Sequence, residues 1–261
     1  MTTIGNYQII KQIGEGAFGR TYLGEHKILG EKACIKQNLK ISPTDEKLLI
    51  KEAKLLWGIH HYSLPTLRDF LKCPDGSYAL VMTYVEGPTL EKIVDKCLEK
   101  TKKGVNPEDV CWVTQRLLNA LHYLHFNGVI HGDVKPANII VQPEEHNAYL
   151  VDYGLSMANP KSTTAPEGYT PAFAPPEQMM GKPPLPESDL YSLGATMIYA
   201  LGGNPIAKTY PKEVPDKIKN FFDKFVLHDP TQRPRWEKTD IIKELSDIRE
   251  EVFGRRHSGK K

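Results

Sequence analysis

The sequence predicts an α+β fold: a small antiparallel sheet carrying one helix, then a larger, mainly helical half. Three observations predict it. Short alternating apolar runs crowd the first third of the chain, at 7–14, 18–26, 32–39, 66–73 and 78–83, which is strand patterning. A single helical pattern, from about 43 to 58, interrupts them. Beyond Gly87 the pattern is mainly helical. Strands gathered before helices, rather than alternating with them, mark an α+β chain.

Taken in order, Tyr7 to Ile13 and Thr21 to Gly24 flank Gly14-Glu15-Gly16-Ala17-Phe18-Gly19. That context is strand–turn–strand. A dinucleotide-binding reading needs the glycines to open a helix after a strand, so it is disfavoured. Glycines there let backbone amides approach phosphate oxygens with no Cβ in the way. Ala33-Cys34-Ile35-Lys36 ends a short apolar strand on a cation. Ser42-Pro43-Thr44-Asp45 then supplies an N-cap, a first-turn proline and a capping acid. Leu48, Leu55, Leu56 and Ile59 form the apolar stripe of this helix, and Glu52 falls on the same stripe. A carboxylate on a packed face needs a partner, because unpaired burial is costly. Lys36 is the candidate; the competing reading has Glu52 reaching solvent at the stripe's edge.

Pro74-Asp75-Gly76-Ser77 joins the last two strands, and 83–87 reads as a hinge. Asn106-Pro107-Glu108-Asp109 caps a long helix that Asn127-Gly128 ends. Further helices are predicted near 187–201, 215–227 and 238–252, and 254–261 reads as a basic, disordered tail.

The chemistry concentrates in His131-Gly132-Asp133-Val134-Lys135-Pro136-Ala137-Asn138, followed nineteen residues past Asp133 by Asp152-Tyr153-Gly154. Phosphoryl transfer from a nucleotide needs an acid to orient the hydroxyl, a cation on the moving group and oxygen ligands for Mg²⁺. The eight-residue loop resembles the catalytic loop of protein kinases, and Asp152-Tyr153-Gly154 resembles that family's Asp-Phe-Gly. Ala33-Cys34-Ile35-Lys36 is similar to its Val-Ala-Ile-Lys. Thr170-Pro171-Ala172-Phe173-Ala174-Pro175-Pro176-Glu177 resembles its substrate-pocket loop, with Pro175 where Ala is usual. Asp189-Leu190-Tyr191-Ser192-Leu193-Gly194 resembles Asp-x-Trp-Ser-x-Gly, and Arg233 matches the residue that pairs with the glutamate, here Glu177. The resemblance runs from about Tyr7 to Val252.

This resemblance implies a two-lobe kinase fold in one catalytic domain, 1–253, with a five-stranded N-lobe of about 1–82, a hinge at 83–87 and a C-lobe of 88–253. It implies an ATP- and Mg²⁺-dependent protein kinase with Asp133, Lys135, Lys36 and Glu52 as catalytic residues. Gly14, Gly16, Gly19, Thr21, Ala33, Lys36, Met82, Val85 and Ile140 would contact the nucleotide, and Asn138 and Asp152 the metal. Lys135 and Thr170 resemble the Ser/Thr class, and the wording around Gly19 and Gln178 is bacterial in style.

Three departures stand out. Gly132 replaces the Arg that usually precedes the catalytic Asp. Thr21 takes the place of a Val over adenine. Only eleven residues, Asn204 to Val214, separate two predicted helices where the family usually has another. Two other readings therefore stay open: an aminoglycoside-type small-molecule phosphotransferase, and a pseudokinase scaffold. Lys135, Thr170, Glu177, Asp189 and Arg233 argue against the first; Lys36, Asp133 and Asp152 argue against the second.

A formal charge of +2 over 261 residues does not suit a dedicated nucleic-acid binder. No run approaches the ~20 apolar residues of a membrane span, and the first residues carry no secretory pattern. Cys34, Cys73, Cys97 and Cys111 lack metal-ligand spacing. Cys34 and Cys111 sit in apolar runs, so buried free thiols in a reducing, cytoplasmic compartment are expected. The expected partners are a protein substrate and a regulatory protein.

Overall fold

Alternation in the early strands resolves into two faces of one sheet. A computed structural model describes residues 2–16, 19–38 and 42–256 and divides the chain into two units, Met1–Glu86 and Gly87–Lys261.

In the first unit, β1 (Thr3–Ile4), β2 (Tyr7–Gly16), β3 (Gly19–His26), β4 (Lys32–Gln37), β5 (Leu67–Lys72) and β6 (Tyr78–Thr83) form an antiparallel sheet in the order β1-β2-β3-β4-β6-β5. The sheet is six-stranded rather than five. The extra strand, β1, is two residues long, too short to show alternation in sequence, yet it buries Ile4. Ala33, Ile35, Ala79 and Val81 make the apolar face with Ile4 and Cys73, under Tyr7, Ile9, Tyr22 and Leu71. The opposite face of β4 carries Cys34 and Lys36, cross-strand from Met82 and Leu80.

Helix α1 (Pro43–Trp57) begins as its caps dictate: Ser42 Oγ accepts from the Asp45 amide at 3.1 Å and donates to the Asp45 carboxylate at 2.6 Å. Its buried residues are Leu49, Glu52, Ala53, Leu55 and Leu56. Leu48, expected on the stripe, is only half-buried; the stripe is rotated by one residue onto Leu49.

The second unit opens with α2 (Leu90–Thr101), capped by Thr89, and α3 (Pro107–Phe126), capped by Asn106. Helix α2 is absent from the sequence reading although its apolar spacing is helical. It buries only Leu90 and Val94, so its stripe is narrow. Strand β7 (Val129–Ile130) leads into the Asp133 loop, a 3₁₀ turn at Pro136–Asn138 and β8 (Ile139–Gln142). Strand β9 (Asn147–Leu150) pairs with β8, and β10 (Met157–Ala158) pairs with β7. The Asp133 loop and the Asp152 turn are thus each fixed at strand ends.

Helices α4 (Pro176–Met179), α5 (Pro186–Ala200), α6 (Asp216–Asp223) and α7 (Ile241–Phe253) complete the unit. Helix α5 is buried almost all round, as a central helix must be. It lies against α3 and α6, with Leu117, Leu121, Leu193, Met197, Ile218 and Phe222 fully buried. Helix α6 ends at Asp223, short of the predicted 227. Asn204 to Val214 holds turns and an isolated bridge, Asn204 to Thr209, with no helix.

Cys73 and Cys111 are buried, whereas Cys34 and Cys97 are half-buried, and all four are thiols rather than disulfides. Burial pushes the Cys111 thiol up to about 12, so it stays a thiol. For Cys34 the expected burial is incomplete, because it lies on the sheet face opposite the apolar cluster. The predicted tail is partly tied down: Arg255 pairs with Glu108 at 2.6 Å and Arg256 with Glu250 at 2.7 Å. Residues 257–261 lie outside the described residues.

Candidate active site

In the first unit the glycine run is a β2–β3 hairpin, with Gly14 opposite Thr21 and Gly16 opposite Gly19; Ala17 and Phe18 lie outside the described residues. Gly19 is required by its neighbour: a Cβ there would lie 2.3 Å from the Gln37 carbonyl oxygen. Thr21 pairs with Lys36 across β3 and β4. Lys36 Nζ donates to both carboxylate oxygens of Glu52, at 2.9 and 2.8 Å, with both side chains buried. This is the pairing the α1 stripe predicts, so Glu52 does not reach solvent. Ala33, Met82 and Val85 are buried in the same unit.

In the second unit three predicted or motif residues meet on the Asp133 carboxylate. Thr170 Oγ1 donates to Asp133 Oδ1 at 2.7 Å, and Lys135 Nζ lies 2.6 Å from Asp133 Oδ2. Lys135 also donates to Thr170 Oγ1 at 3.1 Å. Asn138 Nδ2 donates to the Asp133 backbone carbonyl at 2.9 Å and to Oδ2 at 3.1 Å. That leaves the Asn138 carbonyl oxygen on the other side of the amide. Asp152 is exposed, in a left-handed turn with φ of 66°, two residues past the end of β9. Ile140 is half-buried on β8 and forms a bridge with Thr89.

The loop is held from beneath. Buried Asp189, on the first turn of α5, accepts from the backbone amides of His131 and Gly132, each at 2.8 Å. It also meets His125 Nε2 at 2.8 Å. The Trp236 indole can only donate, and it lies 2.9 Å from His125 Nδ1. The His125 ring proton therefore sits on Nε2, aimed at Asp189. Burial alone would raise the Asp189 carboxyl, but the hydrogen bond from His125, with that from the Gly132 amide, holds it below its ordinary value. His125 and Trp236 escaped the sequence reading; neither lies in a motif, and 111 residues separate them.

Glu177 and Arg233 pair as expected, at 2.6 and 2.9 Å. Arg233 also donates to the carbonyls of Leu227, Glu187 and His228, which uses all five of its N–H groups. Its guanidinium lies over the Tyr191 ring, 4.8 Å from the centroid, so the Tyr in place of Trp still offers an aromatic face. Tyr153 is buried edge-on against His131, 5.1 Å between centroids.

A fold and motif set of this kind define a kinase domain. The chain matches the protein kinase domain family over residues 7–253, and it belongs to that family. Among similar proteins, serine/threonine-protein kinase D of Synechocystis is 31% identical over 217 residues, covering 76% of this chain and 41% of that protein. PknA of Nostoc, a serine/threonine-protein kinase, is 33% identical over 218 residues, 76% of this chain and 37% of that protein. Serine/threonine-protein kinase 36 of Pongo abelii is 29% identical over 252 residues, 88% of this chain and 18% of that protein. The chain thus spans less than half the length of these curated relatives.

Proposed function

We propose that this domain transfers the γ-phosphoryl group of ATP to Ser and Thr hydroxyls of protein substrates. The observation that carries this reading is the cluster around Asp133. Its carboxylate already accepts one hydroxyl hydrogen bond, from Thr170 at 2.7 Å, and is therefore placed to orient a second, from substrate. Lys135, 2.6 Å away, would offset negative charge on the transferring group. Positioning and electrostatics of this kind supply most of the catalysis in phosphoryl transfer.

The residues fit a nucleotide and Mg²⁺, which this family uses. Mg²⁺ prefers hard oxygen ligands and is commonly held by one or two protein groups with phosphate and water. The Asn138 carbonyl oxygen and the Asp152 carboxylate are such ligands. Bound Mg²⁺ would neutralise phosphate oxygens. Lys36, fixed by Glu52, would contact the phosphates, as would the amides of the Gly14, Gly16 and Gly19 hairpin. Thr21, Ala33, Met82, Val85 and Ile140 would meet the base, with 83–87 as the hinge and 1–253 as the catalytic domain.

Four cysteines present as thiols rather than disulfides support a reducing, cytoplasmic setting. Among the described residues no helix is long and apolar enough to cross a membrane. A regulatory protein partner remains part of the proposal. The experiment is acid hydrolysis of a labelled acceptor protein after incubation with ATP and Mg²⁺. Phosphoserine and phosphothreonine with little phosphotyrosine are expected. Transfer mainly to an added aminoglycoside would overturn the reading in favour of a small-molecule phosphotransferase. Nucleotide binding without turnover on any acceptor would favour a pseudokinase.

A further inference from the structure

The segment that brings Thr170 to Asp133 has little burial to hold it. Lys161, Ser162, Thr163, Ala165, Glu167 and Tyr169 are all exposed. Gln178, on α4, is 96% buried by contrast and points back at this segment. Its Nε2 lies 2.9 Å from the Gly132 carbonyl oxygen and 2.8 Å from the Gly168 carbonyl oxygen. A side-chain amide nitrogen carries two hydrogens, so each carbonyl takes one. One side chain thereby joins the residue before Asp133 to the residue two before Thr170.

The glycines at both ends explain why the donor comes from elsewhere. Gly132 has φ of 79°, and a Cβ on it would lie 2.8 Å from the Leu155 carbonyl oxygen. A Cβ on Gly168 would lie 3.3 Å from Leu155 Cδ2. Leu155 thus occupies the space in which a side chain from either glycine would begin.

We propose that Gln178 is a positioning residue that fastens the substrate-side segment to the catalytic loop, so that Thr170 meets Asp133 with no phosphate on the segment. The inference rests on the protein kinase reading. An amide suits this place and its isosteres do not. Glutamate would set a charged acceptor against two carbonyl oxygens, and leucine would leave both carbonyls without that donor.

The test combines hydrogen exchange with kinetics on the phosphatase-treated full chain. In Gln178→Leu, amides of residues 160–174 should exchange about tenfold faster or more, while α5 and β8 exchange as in wild type. With a protein acceptor, kcat/KM should fall about tenfold, while KM for ATP changes little. Gln178→Glu gives a signature that packing alone would not. Burial against two carbonyls raises its pKa, and the protonated acid regains one O–H donor. Its activity relative to wild type should therefore recover as pH falls toward the carboxylate range.

Unchanged exchange in residues 160–174 of Gln178→Leu would overturn the proposal. So would wild-type activity that vanishes on phosphatase treatment and returns with autophosphorylation. A Gln178→Leu chain that does not fold leaves Gln178→Glu to decide, where a flat activity ratio across pH counts against the tether. Wild type that turns over no acceptor, yet shows the exchange response, would sink the kinase reading and leave the tether standing.

Discussion

The Lys36 ammonium lies within 2.9 Å of both carboxylate oxygens of Glu52, and both residues are more than nine-tenths buried. Two charges taken out of water hold each other at a cost, and removing one strands the other. Truncating one partner of a buried pair typically costs about 3–5 kcal/mol. Lys36→Met and Glu52→Leu should each lower stability of the whole chain to denaturant within or near that range. The double variant should be more stable than the sum of the single losses allows. A double-mutant cycle from urea unfolding measures this, and additive losses would contradict the pairing. Glu52→Gln should also weaken nucleotide use, read as a raised KM for ATP.

Thr170 bridges Asp133 and Lys135 through one hydroxyl. Thr170→Val keeps the shape and removes the bridge, so kcat/KM toward a protein acceptor should fall by about tenfold, or ~1.4 kcal/mol. Thr170→Ser keeps the hydroxyl and should retain most activity. Equal rates for the Val and Ser variants would show that the hydroxyl is idle.

Burial would raise the Glu177 carboxyl, but hydrogen bonds from Arg233 and Ser188 outweigh it and hold the group below its ordinary value of 4.5. A depressed native value means the unfolded chain binds the proton first as pH falls. The pair's stabilisation is therefore complete above about pH 4.5 to 5 and is lost as pH drops through the native value. Asp189, depressed from 3.8, adds in the same direction. Melting temperature against pH for wild type and Glu177→Gln should show a gap at pH 7 that narrows below pH ~4.5. A gap that widens on acidification would refute the assignment.

Much of this site is legible in the sequence because its residues lie in short local patterns. Asp133, Lys135 and Asn138 share one loop; the stripe position of Glu52 calls for a partner, and the family resemblance points to Lys36. The two-residue strand at Thr3–Ile4 is too short to alternate, and α2, although its apolar spacing is helical, buries only Leu90 and Val94. Gln178 is legible in the sequence only as part of the bacterial-style wording Pro176-Glu177-Gln178. Its role depends on two backbone carbonyls, and backbone acceptors have no sequence signature. His125 and Trp236 meet across 111 residues through helix packing that no single-segment pattern encodes.

Thr164 Oγ1 accepts from the Lys161 amide at 2.8 Å, whereas Ser162 and Thr163 are exposed. These hydroxyls are the clustered candidate phosphoacceptors on the segment, yet Gly132 offers no side-chain cation to bind a phosphate there. Changing Ser162, Thr163 and Thr164 together to Ala should lower the rate on an added substrate by less than about tenfold, or ~1.4 kcal/mol. Collapse of activity, rescued by acidic replacements, would mean that another cation binds the phosphate.

The most direct test of the central claim is transfer of label from γ-labelled ATP to a protein acceptor by wild type, Asp133→Asn and Asp152→Asn, with nucleotide affinity measured in parallel. The account predicts phosphoserine and phosphothreonine from wild type. Asp133→Asn should lose most of the rate while binding Mg²⁺-nucleotide normally, and Asp152→Asn should lose Mg²⁺-nucleotide affinity itself. Full turnover in both variants would contradict it.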